Sequence, residues 1–107
     1  MKIIDEIELA NIKKASKHTF KLNIVQNAMG DFWQVPIMVI KGATDGPVLG
    51  ITAVLHGNEL NGISIIHELW KTINEDELKG TLVLVPVLNV PGFLNGEREF
   101  SDGRDLN

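Results

Sequence analysis

The sequence predicts an α/β fold: antiparallel N-terminal strands that share one mixed sheet with a parallel strand-helix-strand crossover. Two observations predict it. In the first 40 residues, short apolar stretches alternate with polar clusters, which is typical of strands joined by turns. From residue 48 onward, two nearly continuous apolar runs flank a segment with helical periodicity. At 107 residues the chain has room for a single domain.

The N-terminal part is predicted to hold three strands, over residues 3–9, 19–25 and 33–40, and we expect them to run antiparallel. Lys, Ser and His separate the first two stretches. Between the second and third lies NAMGD, residues 27–31, whose asparagine, glycine and aspartate favour a hairpin turn. This part is therefore expected to form a small antiparallel unit.

The first strand of the crossover is predicted at residues 48–55, VLGITAVL. This run is apolar almost throughout, as expected of a parallel strand covered on both faces. The preceding TDGPV, residues 44–48, contains Gly and Pro and favours a turn that leads into the strand.

The helix and the second strand follow. Apolar residues after Gly62 recur at steps of three and four, the period of a helix that packs one face on a core, and the helix is predicted to end near residues 74–79. TLVLVPVLN, residues 81–89, then predicts a second buried strand, although Pro86 is unusual inside a central strand. A strand-helix-strand unit of this kind is almost always a right-handed parallel crossover.

Composition excludes several classes of function. The formal charge of −4 argues against general nucleic-acid binding, which needs a dense basic face. No apolar run reaches the roughly 20 residues of a membrane span, and the acidic N-terminus is unlike a signal peptide, so we expect a cytoplasmic protein without a membrane partner. Because the chain has no cysteine, a metal ion would be held by imidazole, carboxylate and water.

His56 and Glu59, in VLHGNELNG, leave the first crossover strand at the edge where open α/β sheets bind ligands. Gly57 permits a sharp bend, so the imidazole and the carboxylate can converge on one Zn²⁺ ion. The spacing also suits an ordinary strand-to-helix turn in which Glu59 stabilises the first helical turn. The loop after the second strand emerges at the same edge and carries Arg98 and Asn107.

GPVLGITAVLHGNELNG, followed about 40 residues later by REFSDGRDLN, closely resembles the succinylglutamate desuccinylase/aspartoacylase family, a branch of the zinc carboxypeptidase-like hydrolases. The resemblance covers residues 39–107. It implies the N-terminal part of a zinc carboxypeptidase-like fold, one Zn²⁺ per parent molecule, and His56 and Glu59 as the first two zinc ligands. It further implies that Arg98 polarises the scissile carbonyl and binds substrate, and that Asn107 helps to bind the substrate carboxylate. Asp102 and Asp105 would brace the loop.

In that family an arginine that binds the substrate carboxylate, a third zinc ligand (a histidine) and a general-base glutamate all follow the DLN element, whereas this sequence stops at Asn107. We therefore expect a single truncated domain, residues 1–107, that is nearly inactive by itself. His18, between predicted strands, and His67, two turns into the helix, are expected to face solvent rather than to replace the missing ligand. An exposed sheet edge or apolar face would favour self-association into a homo-oligomer.

Three functions remain open from the sequence. The first is a deacylase that hydrolyses the amide of a small N-acyl amino acid, and the second is a carboxypeptidase acting on peptides within the same fold. In the third, a non-catalytic module, His56 and Glu59 serve only as turn and cap, and the C-terminal loop mediates assembly or binds an anion.

Overall fold

A computed structural model describes residues 1–26, 28–53 and 61–87 of the chain. The described part forms one mixed five-stranded sheet with a single α-helix and a short 3₁₀ helix. The sheet order is β1-β2-β3-β5-β4. In chain order the elements are β1 (Lys2–Ile4), a 3₁₀ helix (Leu9–Asn11), β2 (Ser16–Gln26), β3 (Phe32–Lys41), β4 (Thr44–Thr52), α1 (Asn61–Thr72) and β5 (Lys79–Val85).

The hairpin of β2 and β3 confirms the central prediction for the N-terminal part. The two strands are antiparallel over nearly their whole length, with Phe20 opposite Ile37 and Leu22 opposite Val35. Within the predicted turn, Gly30 has a φ of 87°, a conformation that residues with a side chain rarely adopt. The strands are longer than predicted, mainly at the end away from the turn, where the polar residue Ser16 is paired with Lys41.

The first strand differs from its prediction in both length and direction. β1 has only 3 residues and pairs parallel to β2, with Ile3 opposite Lys21. The rest of the predicted strand leaves the sheet, and Ile7, Leu9 and Ile12 pack over the sheet face formed by β2 and β3. Covering this apolar face buries more hydrophobic area than lengthening an edge strand would, so the segment folds back.

The crossover of β4, α1 and β5 is confirmed. β4 and β5 are parallel neighbours, with Ile51 opposite Leu84 and Thr52 opposite Val85. β5 ends at Val85, one residue before the proline that was unusual for a central strand, so Pro86 removes no ladder hydrogen bond. Among the described residues no helix has the length and apolar character to cross a membrane.

β4 corrects two details of the sequence prediction. The predicted turn at residues 44–48 lies inside the strand, where a shift in register between Thr44 and Val48 accommodates it. Such an irregularity tolerates Gly and Pro that a regular central strand would exclude. Within the described residues both faces of the strand are partly exposed, with Val48 at 58% exposure and Leu49 at 56%.

The sheet buries a separate cluster on each face. On the helix face, Ile66 of α1 is 1% exposed and packs against Ile40, Leu82, Leu84 and Ala53. On the opposite face, which we call the N-terminal face, Val35, Ile37, Val39 and Val85 are buried beneath the N-terminal segment. Alternation along β3 and β5 divides the side chains between these clusters, as expected of strands covered on both sides.

Candidate active site at the carboxyl ends of the parallel strands

The carboxyl ends of β4 and β5 lie side by side, and this is where the site predicted from the sequence would be built. Thr52 is the register partner of Val85, and the Ala53 N–H donates a hydrogen bond to the Val85 carbonyl oxygen at 2.8 Å. Residues 54–60 follow β4, and residues 88–107 follow the last described residue after β5. Both chemistry-bearing segments therefore start from one edge of the sheet, which is the ligand-binding edge of open α/β folds.

The start of α1 returns to the end of β4. A methyl group added at Gly62 would lie 2.7 Å from the Cβ of Ala53 and 3.5 Å from its Cα. Such a distance is shorter than real carbon contacts, so only glycine lets the helix begin this close to the strand. The two ends of the seven-residue segment 54–60 are thus held together by a close packing contact between Ala53 and Gly62.

Gly62 is a positioning residue that the sequence reasoning did not single out. Its role depends on how far the helix stands from the strand end, which no local pattern encodes. One sequence feature is consistent with a close contact: two small residues, Ala53 and Gly62, flank the segment that contains His56 and Glu59.

The predicted ligands and substrate contacts all fall on segments outside the described residues. His56 and Glu59 lie in residues 54–60, whereas Arg98 and Asn107, together with Asp102 and Asp105, lie in residues 88–107. The structure brings together the strand ends from which these segments depart.

The other two histidines lie elsewhere and face solvent, as predicted. His18 is exposed on β2, with its Nε2 3.0 Å from the Ser16 hydroxyl oxygen and its ring stacked on Phe20 at 6.0 Å between centroids. His67 is exposed on α1. Within residues 1–26, 28–53 and 61–87, no three histidine or carboxylate side chains group to hold a metal ion.

A groove of about 570 Å³ lies at the opposite end of the sheet, between the N-terminal segment and β2. Its lining includes Asp5, Glu6, Glu8 and His18. A hydrogen bond with Glu8 and the negative charge of that carboxylate raise the pKa of Glu6 above its ordinary value. Because β3 and β5 separate this groove from β4 in the sheet, it is distinct from the strand-end site.

Comparison with solved structures defines the class of protein to which this fold corresponds. The structure of a succinylglutamate desuccinylase/aspartoacylase from Rhodobacter sphaeroides superimposes with a TM-score of 0.77 at 23% identity, over 94% of this chain and 31% of that one. An aspartoacylase family protein from Mesorhizobium loti gives a TM-score of 0.75 at 28% identity, over 88% of this chain and 30% of its own. The fold is that of the N-terminal part of these α/β proteins.

The chain belongs to the succinylglutamate desuccinylase/aspartoacylase catalytic domain family, whose sequence model matches residues 45–107. That match includes β4, α1 and β5 together with the two segments that follow the strands. A curated relative, the N-alpha-acetyl-L-2,4-diaminobutyric acid deacetylase of Halomonas elongata, is 31% identical over 74 residues, which are 68% of this chain. The aligned part of this chain spans 21% of that deacetylase, which is about a fifth of its length.

Proposed function

We propose that this chain forms the N-terminal part of a zinc-dependent deacylase that hydrolyses the amide bond of an N-acyl amino acid. The observation that carries the proposal is the register of β4 and β5, with Thr52 opposite Val85. Because of this register, the segment that contains His56 and Glu59 and the segment that contains Arg98 and Asn107 follow adjacent strand ends. Membership of the family and the deacetylase relative support the same reaction class.

The donor set fits zinc. His56 offers an imidazole nitrogen and Glu59 a carboxylate oxygen, both of which are common zinc ligands, and the chain has no thiolate that would compete. Three extended residues span at most about 11 Å, so a ligand three residues beyond Ala53 stays close to the strand ends. The ends themselves are apolar and nearly buried, at 8% exposure for Ala53 and 9% for Val85, which strengthens electrostatic interactions next to them.

Each predicted residue then has a definite task. His56 and Glu59 would hold Zn²⁺, which supplies Lewis-acid polarisation of a carbonyl and lowers the pKa of a water molecule towards about 7. The guanidinium of Arg98 places a fixed positive charge where negative charge develops on the carbonyl oxygen. The side-chain amide of Asn107 donates a hydrogen bond to the substrate carboxylate, which selects an amino acid rather than an amine.

Two relatives support a substrate class for the proposed enzyme. The Halomonas elongata enzyme is named for removing an acetyl group from diaminobutyric acid, and an ectoine utilization protein from Ruegeria pomeroyi, solved with product bound, is 25% identical with a TM-score of 0.69. We propose small N-acyl amino acids as substrates. With two zinc ligands of its own, the 107-residue chain is proposed to have little activity by itself.

Zinc content and hydrolysis test the proposal. A longer polypeptide that carries this chain and its C-terminal continuation should bind about one zinc per molecule and release the amino acid from N-acyl amino acids. His56→Ala or Glu59→Ala should abolish both, whereas His67→Ala, on the exposed side of α1, should change neither. Full zinc content and activity in either ligand variant would disprove the assignment. Cleavage of peptides but not of N-acyl amino acids would indicate a carboxypeptidase.

A further inference from the structure

Two prolines occupy the position at which the pairing of β3 with β5 stops. The last paired residues of these antiparallel strands are Met38 and Leu84, and β5 ends at Val85. Two residues further along in the same register, Pro86 would lie opposite Pro36. The strand that leads to the candidate site therefore ends just before the two prolines would meet.

The hydrogen bonds of β5 show which way each residue of this strand faces. The Ala53 N–H donates to the Val85 carbonyl oxygen at 2.8 Å, so the peptide groups of Val85 face β4. Successive residues of a strand direct their N–H and C=O groups to opposite sides, and the position of Pro86 therefore faces β3. An ordinary residue at this position would offer its N–H to β3.

The position of Pro36 on β3 faces β5 in return. At the other end of the pair, the Gly42 N–H donates to the Gly80 carbonyl oxygen at 2.8 Å, and every second residue back along β3, down to Pro36, has the same direction. Residues 36 and 86 would thus form a closely spaced pair that exchanges two hydrogen bonds. Both donors are missing, because proline has no N–H.

The effect of Pro36 is confined to the side of β5. β3 has a neighbour on each side in the sheet, and proline is normally found at edges or bulges. The residues that flank Pro36 face β2 instead, where Val35 is opposite Leu22 and Ile37 is opposite Phe20. The hairpin with β2 therefore keeps its pairing, and the hydrogen bond that Pro36 removes is one to the chain that follows β5.

We propose that Pro36 and Pro86 act together as a positioning pair: their missing donors release the chain after β5 from β3, so that the segment with Arg98 and Asn107 departs beside the end of β4. This role rests on the proposed function, in which those two side chains bind substrate. With both donors restored, each further residue paired to β3 would move the point of departure about 3.4 Å from the end of β4. The pair should affect substrate recognition and not zinc binding, since the proposed zinc ligands follow β4.

Restoring the donors in a longer polypeptide, which carries this chain and its C-terminal continuation, tests the pair. In the double variant Pro36→Val and Pro86→Val, the amides of residues 36 and 86 should exchange with solvent at least about tenfold more slowly than in the corresponding single variants, as measured by NMR. The second hydrogen bond forms readily only after the first has aligned the strands. Pro47→Val is the control, because Pro47 lies in β4 and the adjacent strand β5 contains no proline.

Substrate preference separates positioning from a general loss of folded protein. The parent should prefer an N-acetyl amino acid to the N-acetyl amine that lacks its carboxylate, because Asn107 is proposed to bind that carboxylate. The ratio of kcat/KM for these two substrates should fall at least about tenfold in the double variant and stay unchanged in Pro47→Val, with about one zinc per molecule in both. A loss of folded protein would lower both rates together and leave their ratio unchanged.

Three results for the variants would overturn the proposal. Equally fast amide exchange in the single and double variants shows that the missing donors do not end the pairing. Slower exchange with an unchanged substrate ratio shows that the pair has no positioning role. Loss of zinc from the double variant places its effect on the segment after β4. A parent polypeptide without zinc or hydrolysis would refute the proposed function and the positioning role with it, while the exchange rates would still decide whether the prolines end the pairing.

Discussion

Replacing Gly62 by alanine tests whether the close contact between α1 and β4 holds the ends of the candidate site. The added methyl would lie 2.7 Å from the Cβ of Ala53, well inside van der Waals contact. Neither group can rotate away, because both carbons are attached directly to the backbone. The helix must therefore shift away from the strand end. At Gly50 the same change meets nothing within 4 Å, which makes Gly50→Ala a matched control.

The two substitutions are expected to have opposite signs. Overpacking costs about 1–3 kcal/mol, whereas alanine in place of glycine inside a helix gains up to about 1 kcal/mol. Gly62→Ala should therefore lower the free energy of unfolding by about 1 kcal/mol. Gly50→Ala, in open space within a strand, should raise it by about 0.5 kcal/mol, because alanine loses less backbone freedom on folding.

Urea unfolding of single and double variants measures the contact. Ala53→Gly removes the opposing methyl, so the pair Ala53→Gly and Gly62→Ala should be more stable than the sum of the single changes predicts, by about 1 kcal/mol of coupling. In a longer polypeptide, Gly62→Ala should also weaken zinc binding by the segment between these residues. Additive single changes, or a Gly62→Ala variant more stable than the parent, would refute the reasoning.

Two further predictions concern the packing of α1 on the sheet. Ile66→Ala should lower the free energy of unfolding by about 2–5 kcal/mol, because Ile66 is 1% exposed, while the neighbouring change Ile65→Ala should stay within about 0.5 kcal/mol under monomeric conditions. Lys17→Met should cost about 1 kcal/mol, because the Lys17 ammonium donates to the Trp70 carbonyl oxygen at 2.6 Å. Lys14→Met, which removes an exposed ion pair, should change stability by less than about 0.5 kcal/mol in the same urea titration.

The crossover was predictable because its signals are local and strong. Ile63, Ile66 and Leu69 recur with helical period, and all three pack on the helix face of the sheet. The two flanking apolar runs became parallel strands, as a crossover of this length requires. Even the unusual Pro86 is explained by a strand end only one residue earlier than the proline.

The edges of the sheet were less predictable because a sequence does not state which strands are outermost. The apolar run of β4 predicted a strand covered on both faces, whereas Leu49 is 56% exposed within the described residues. In the N-terminal segment, apolar residues such as Ile7 and Leu9 could either extend a strand or cover a sheet face. They cover the apolar face of the hairpin, and the local sequence does not show that this face is available to them. Both differences concern tertiary packing rather than local propensity.

The candidate site was predictable to the level of strand ends. The segments that hold His56 and Arg98 were predicted to leave the sheet at one edge, and the register of β4 and β5 confirms that the two strand ends are adjacent. The roles of these side chains stay predictions from the sequence, because they lie outside the described residues. The contact of Gly62 with Ala53 required coordinates, since it depends on the distance between a helix and a strand.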